Sequence, residues 1–183
     1  MNKKLKQTII ALVITILMVV IDQYTKYLVV AKMHLHESIP LVKGVFELNY
    51  IHNNGSAWGM LGGKTLLLLI ISSIVMIALC YVFYNVAGPA KYALIRFSIA
   101  ILLGGAIGNM IDRVRLKYVV DFLYFKLIDF PVFNYADICV TVSLFVIIIS
   151  IIFKYKPDDY DVFLGDKKFN EEDESYISLR KEK

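Results

Sequence analysis

Two aspartates at the margins of apolar segments are the residues most able to do chemistry in this chain. Asp121 lies in the sequence Val-Val-Asp-Phe, and Asp137 ends the sequence Phe-Asn-Tyr-Ala-Asp. An ionisable group at the edge of the membrane hydrocarbon is costly, so it marks a candidate functional site. Two carboxylates that share a proton can act as a general acid and a general base. With no metal-binding histidine pattern nearby, the pair indicates acid/base chemistry without a metal or cofactor.

Asp137 also has a purely structural interpretation. Asn134 is a good helix N-cap, and a carboxylate three residues later can reach back to it and favour the helix dipole. Asp121 has no such explanation, because it lies among Val119, Val120 and Phe122 with no adjacent base. The two acids together therefore support an acid/base site better than either does alone.

Membrane helices must position these residues, because the composition is too apolar for a soluble core. The chain has 183 residues, 58% of them hydrophobic, and a mean hydropathy of +0.62. Four apolar segments approach the roughly 20 residues that cross a bilayer as a helix. They predict transmembrane helices at residues 9–30, 66–86, 92–111 and 135–153. The even number places both termini on one side, and the lysines near the N-terminus favour the cytoplasm.

The segments between the helices predict a small sheet. Residues 38–60 and 118–133 are rich in aromatic and β-branched side chains, as strands are. The predicted fold is thus an α-helical polytopic membrane protein, with four transmembrane helices and a small antiparallel β-sheet on the extracytoplasmic face. Residues 1–156 form this membrane domain. Residues 157–183 are mixed in charge and poor in apolar side chains, so we expect a solvated cytoplasmic tail.

One pair of charges interrupts the first apolar segment. Asp22 and Lys26 are four residues apart and share a helix face. They can form an ion pair that makes both charges tolerable in the membrane. A sharper interpretation is that they also order the site, by hydrogen bonds to nearby backbone.

A second polar group ends the third apolar segment. Asn109, Asp112 and Arg113 lie within one helical turn, which predicts a structural cluster, with Arg113 and Arg115 as the partners that hold Asp112 ionised. Small residues before this cluster predict a face on which another helix packs closely; they are Gly104, Gly105 and Gly108. The net charge of +4 comes without a basic stripe, so no nucleic-acid partner is expected.

With these motifs in order, the chain resembles the lipoprotein signal peptidases (signal peptidase II), the membrane aspartyl proteases of bacteria. The resemblance covers roughly residues 7–155. Its motifs are residues 22–26 (Asp-Gln-Tyr-Thr-Lys), 53–58 (Asn-Asn-Gly-Ser-Ala-Trp), 104–113 (Gly-Gly-Ala-Ile-Gly-Asn-Met-Ile-Asp-Arg), 119–122 (Val-Val-Asp-Phe) and 133–137 (Phe-Asn-Tyr-Ala-Asp). Trp58 stands where phenylalanine is commoner in the family.

The resemblance implies an activity and a set of site residues. The family removes signal peptides from prolipoproteins, cleaving just before a cysteine that carries diacylglycerol. By position, Asp121 and Asp137 match its catalytic pair. Substrate-binding or supporting roles are implied for Asp22, Lys26, Asn53, Gly55, Gly108, Asn109, Asp112, Arg113, Asn134 and Ala136. The implied partners are prolipoproteins and membrane lipid at the bacterial cell membrane, and we expect a monomer with its site near the outer face.

Two other classes of protein also place acids in membrane helices. A proton-coupled transporter would carry them near the middle of the bilayer, often in repeated halves. A non-enzymatic membrane scaffold would not need a matched pair of acids. No internal repeat is visible and the acids lie at segment ends, so a peptidase is the better prediction.

Overall fold

Four long helices form the membrane part of the protein. The computed structural model describes residues 2–55 and 63–166. In these residues, four helices are long and apolar enough to cross a membrane, as predicted. They are α1 (Lys3–Lys32), α2 (Thr65–Asn85), α3 (Ala93–Leu116, after a 3-10 turn at Ala90–Tyr92) and α4 (Tyr135–Phe153). α3 continues past residue 111, where its apolar pattern ends, so Asp112 and Arg113 lie within the helix.

The third helix is the centre of the bundle. It packs against α1, α2 and α4, and its apolar stretch is 56% buried, whereas those of α1 and α2 are 6% buried. Two glycines make the close contacts possible. A Cβ at Gly104 would lie 2.5 Å from Cβ of Met18, and one at Gly105 would lie 2.5 Å from the carbonyl oxygen of Ala136. The predicted packing face is therefore confirmed, and it holds α1 and α4 at contact distance.

The described strands form one antiparallel sheet in the order β1-β2-β3, as predicted. They are β1 (Ser38–Val42), β2 (Phe46–Asn53) and β3 (Val119–Tyr124). Gly44, with φ of +74°, supplies the turn between β1 and β2. In β3, Val120 and Phe122 pack against the end of α1. Because side chains alternate along a strand, Asp121 points to the opposite face of the sheet.

At the other end of the bundle, the structure differs from the prediction of a tail solvated from residue 157. A fifth helix, α5 (Pro157–Leu164), packs against the end of α2. Val162 and Phe163 are buried there beside Tyr92 and Tyr155. The prediction failed because it relied on the average polarity of the segment. Val162 and Phe163 are adjacent apolar residues, and one helical turn is enough to bury both of them. Residues 167–183 of the predicted tail lie outside the described residues.

Candidate active site

Asp121 and Asp137 line one cavity of about 180 Å³ at the sheet end of the bundle. β3 carries Asp121, and the first turn of α4 carries Asp137. The two residues are brought together because β3 runs beside the segment that leads into α4: Leu123 and Phe133 form an isolated bridge. The rest of the lining comes from β2, α3, β3, α4 and the segment just before α4: Asn53, Asn109, Arg113, Val119, Val132, Phe133 and Thr141.

Asp137 is a capping residue as well as a member of the cavity wall. Its Oδ2 accepts a hydrogen bond from the backbone N–H of Asn134 at 3.0 Å. In return, Asn134 Oδ1 accepts one from the backbone N–H of Asp137 at 3.0 Å. This reciprocal capping box is the structural interpretation considered from the sequence. Asp137 Oδ1 remains available to the cavity side, where it accepts from Asn109 Nδ2 at 2.8 Å.

Asn134 connects the two acids directly. It is fully buried, and its Nδ2 donates to Asp121 Oδ1 at 2.6 Å and to Asn109 Oδ1 at 3.1 Å. The same side chain therefore begins α4, contacts Asp121 and fixes the position of Asp137. A residue predicted to support the site lies between its two aspartates.

The end of β2 and Gly55 just after it also contact the site. Asn53 donates from Nδ2 to Asp121 Oδ2 at 2.8 Å and accepts from the backbone N–H of Gly55 at 2.9 Å. Arg113 donates to the carbonyl oxygen of Gly55 at 3.3 Å. Ser56, Ala57 and Trp58 of the same predicted motif lie outside the described residues.

A cluster of buried charges lies behind the cavity. Lys26 Nζ contacts Asp22 Oδ2 and Asp112 Oδ2, each at 2.9 Å. The prediction that Arg113 and Arg115 hold Asp112 was therefore wrong. Arg113 turns toward the cavity and Arg115 stays exposed, whereas Lys26 reaches across from α1 and is buried together with the carboxylate. A buried carboxylate that is ionised is stabilised by a cation buried with it.

Asp22 also orders the backbone, as the sharper interpretation of the sequence proposed. Its Oδ1 accepts from the backbone N–H of Ala136 at 3.0 Å, in the first turn of α4. Gly108 makes room for this contact, because a Cβ there would collide with the Asp22 carboxylate. α1 thus holds the turn that carries Asp137.

Sequence reasoning missed two residues of the site. Gln23 Nε2 donates to Asp112 Oδ1 at 2.9 Å, and it contacts Asp22 Oδ2 and the carbonyl oxygen of Gly108, each at 3.2 Å. Thr141 lines the cavity one turn after Asp137. Both are polar residues in apolar helices. Gln23 follows Asp22 directly and Thr141 lies one turn after Asp137, so their positions in the sequence could have identified them.

Burial controls the electrostatics of Asp121, whose side chain is 1% exposed. Loss of solvation, followed by the nearby charge of Asp137, raises the pKa of Asp121 to about 7, against the opposing effect of hydrogen bonds from Asn53 and Asn134. A carboxyl group with such a pKa keeps its proton at pH values where an ordinary aspartic acid has already lost it. Among the described residues, no group of three His, Cys, Asp or Glu side chains is placed to hold a metal ion.

Comparison with known proteins identifies the family. The model of the family described as signal peptidase (SPase) II matches residues 14–153, which include both aspartates. A lipoprotein signal peptidase of Symbiobacterium thermophilum is 41% identical over 137 residues, covering 74% of this chain and 89% of that protein. Another, from Caldanaerobacter subterraneus subsp. tengcongensis, is 43% identical over 145 residues, covering 79% of this chain and 97% of that protein.

The fold agrees with this sequence similarity. A solved structure described as a bacterial membrane enzyme, at 2.3 Å resolution, superposes with a TM-score of 0.69 at 34% identity. The match covers 88% of this chain and 93% of that one. The family model, the two relatives and the shared fold agree, and the chain therefore belongs to the lipoprotein signal peptidase (signal peptidase II) family.

Proposed function

We propose that this membrane peptidase is an aspartyl endopeptidase whose catalytic pair is Asp121 and Asp137. Family membership already makes it a signal peptidase of lipoproteins. The observation that carries the finer assignment is that both carboxylates line one cavity while buried amide side chains hold them. Its substrates are prolipoproteins with a diacylglyceryl-modified cysteine, and it cleaves just before that cysteine.

The surroundings of the two carboxyl groups divide the roles of acid and base. Asp137 lies at a helix N-terminus, where negative charge is favoured, and accepts from an amide N–H and a backbone N–H. Asp121 is almost wholly buried and has a pKa raised to about 7 by burial and by the charge of Asp137. The two groups titrate as a coupled pair. In the resting state, Asp137 is the ionised base and Asp121 holds the proton.

This arrangement supports direct attack by water. Asp137 takes a proton from a water molecule between the two acids, and the resulting hydroxide attacks the scissile carbonyl carbon. Asp121 polarises the carbonyl oxygen with its proton. When the C–N bond breaks, Asp121 gives that proton to the leaving amine, and the acids exchange a proton to return to the starting state. The positive charge of Arg113 on the cavity wall favours one ionised carboxylate.

The position of the cavity suits a substrate that is held in the membrane. It lies where α3 and α4 meet the sheet, and part of its wall is apolar, from Val119, Val132 and Phe133. The lysines near the N-terminus support a cytoplasmic position for the opposite end of the bundle. The site then lies near the outer face of the cell membrane, where a diacylglyceryl group anchors its peptide beside the catalytic pair.

The experiment compares two forms of one precursor with the purified enzyme. The first carries the diacylglyceryl group on its cysteine, and the second has serine in place of that cysteine and carries no lipid. Mass spectrometry of the products locates the bond that is cleaved. We expect cleavage of the lipidated form alone, with the modified cysteine as the new first residue. Equal cleavage of both forms, or cleavage at another bond, would contradict the proposed substrate.

A further inference from the structure

Lys26 is buried in the protein although it projects from a membrane helix. Its side chain is 4% exposed, and its ammonium contacts three oxygen atoms at 2.9 Å, on Asp22, Asp112 and Asn109. An ammonium has three N–H donors, so these contacts use all of them. Lys26 is not part of the lining of the catalytic cavity, so its side chain does not face the space that a substrate would occupy.

The third contact connects Lys26 to the catalytic cavity. Two of the ammonium donors go to carboxylates, and the third goes to the neutral amide of Asn109, which lines the cavity. Asn109 Oδ1 accepts from Lys26 Nζ and from Asn134 Nδ2. Because both donors lie beside Oδ1, the NH₂ group of the Asn109 amide must point away from Lys26 and Asn134. It donates to Asp137 Oδ1 at 2.8 Å.

A flipped amide would be unfavourable at both ends. The NH₂ group would then face the Lys26 ammonium, and the carbonyl oxygen would face the Asp137 carboxylate. Each donor–acceptor contact would become a repulsive one. Lys26 and Asn134 together therefore fix which atom of Asn109 is presented to Asp137, and Lys26 is the donor that carries a charge.

We propose that Lys26 is a positioning residue for hydrolysis: it locks the Asn109 amide so that its N–H holds Asp137 ionised and in place. This inference rests on the proposed function, because it assigns Asp137 the role of base. Lys26 acts from the second layer around the cavity and does not contact the substrate. Its removal should therefore lower kcat and leave KM nearly unchanged.

The size of the effect follows from the bond that is lost. A hydrogen bond to a charged group is typically associated with a change of roughly 10- to 100-fold in an equilibrium or rate. We expect kcat to fall by about this factor when Lys26 no longer orients Asn109. The direct contact between Asn109 and Asp137 accounts for the same factor, so the two residues should not contribute independently.

Lys26→Met alone would leave Asp22 and Asp112 buried without a cation, which can prevent folding. The test therefore starts from Asp112→Asn, which keeps Lys26 and its contact to Asn109. Adding Lys26→Met to this background restores the net charge that the cluster has in the natural protein. Asp22→Asn provides a second background of the same design, in which Asn keeps an acceptor oxygen for the Ala136 N–H. Thermal unfolding confirms that each variant compared is folded.

A double-mutant cycle then tests whether Lys26 acts through Asn109. Within the background, Lys26→Met, Asn109→Ala and the combination are assayed for kcat and KM on the lipidated precursor. We expect the combination to lose no more kcat than Asn109→Ala does alone. Losses that multiply, or a Lys26→Met variant with unchanged kcat, would overturn the proposal and leave Lys26 as a counterion.

The same assay separates this proposal from the proposed function. Asp121→Asn is measured in parallel, and high activity of that variant would overturn the catalytic pair itself. If Asp121→Asn is inactive but the losses in the cycle multiply, the proposed role of Lys26 is overturned and the catalytic pair is not.

Discussion

The short helix α5 is predicted to stabilise the end of the bundle that lies away from the site. Phe163 and Val162 are 8% and 4% exposed, and the Phe163 ring lies 5.7 Å from that of Tyr92 and 5.2 Å from that of Tyr155. Phe163→Ala should lower the free energy of unfolding by about 3 kcal/mol, the lower end of the range for a buried phenylalanine. We choose that end because the helix is short and lies at the surface, where the cavity can partly collapse.

Removal of the whole helix should lower the free energy of unfolding by at least as much as Phe163→Ala does. Truncation after Lys156 deletes Val162 and Phe163 and also Asp159, which accepts from Lys91 Nζ at 2.5 Å and from the Tyr92 hydroxyl at 2.6 Å. Tyr92 is buried, so the loss of this partner adds to the lost apolar contacts. Truncation after residue 166 keeps α5 and should therefore be more stable than truncation after Lys156.

Thermal unfolding in one detergent measures these differences. The matched control is Leu164→Ala, because Leu164 is on the same helix but is 64% exposed, and it should change stability by less than about 0.5 kcal/mol. Hydrolysis per folded molecule should be similar in all the variants, since α5 is at the opposite end from Asp121. Equal unfolding temperatures for the truncations after Lys156 and after residue 166 would refute the reasoning.

Three further predictions concern the site and its supports. Because burial and the charge of Asp137 raise the pKa of Asp121 from 3.8 to about 7, kcat/KM should fall above about pH 7, roughly tenfold per unit, in a pH–rate profile. The folded state binds this proton more tightly than the unfolded state, so this group should make stability fall as pH rises from 3.8 to about 7. Asp121→Asn should remove that contribution and make the slope less steep in unfolding experiments. Chelation with EDTA should leave hydrolysis unchanged, and inhibition that added zinc reverses would contradict this. Gly105→Ala should destabilise the protein by about 1–3 kcal/mol and lower activity, because the new methyl would meet the carbonyl of Ala136 and displace the first turn of α4; unchanged unfolding temperature and activity would contradict it.

The membrane helices and the sheet were predictable because each depends on local pattern. Apolar runs of the right length indicate spanning helices whatever they pack against. Asp121 and Asp137 were identifiable because a carboxylate beside an apolar run is unusual in any fold. The capping role of Asn134 could also be predicted, because Asp137 follows it by three residues, the spacing of a capping box.

Contacts between distant segments were not predictable in the same way. The partner of Asp112 is Lys26, on another helix, and nothing in the sequence around Asp112 favours it over the nearby Arg113. Helix spacing places residues on a face but does not say what the face meets. The orientation of Asn109 is likewise decided by Lys26 and Asn134 from two other elements.

Helix α5 shows a different limit. A segment this short is not stable as a helix in isolation and depends on packing. Its composition is that of a solvated tail, whereas its stability comes from the burial of Val162 and Phe163 against α2 and α3. Average composition conceals such a contact, since two residues are enough to make it.

The central claim is that Asp121 and Asp137 together carry out hydrolysis. The most direct test is turnover of the lipidated precursor by Asp121→Asn and Asp137→Asn, at matched amounts of folded protein. The control is Asp129→Asn, because Asp129 is an exposed acid in the segment between β3 and α4. An amide keeps the shape of the carboxyl group but cannot transfer the proton, so both site variants should lose about a thousandfold or more in kcat, while the control keeps its activity. Turnover near the natural rate by either site variant would contradict the assignment.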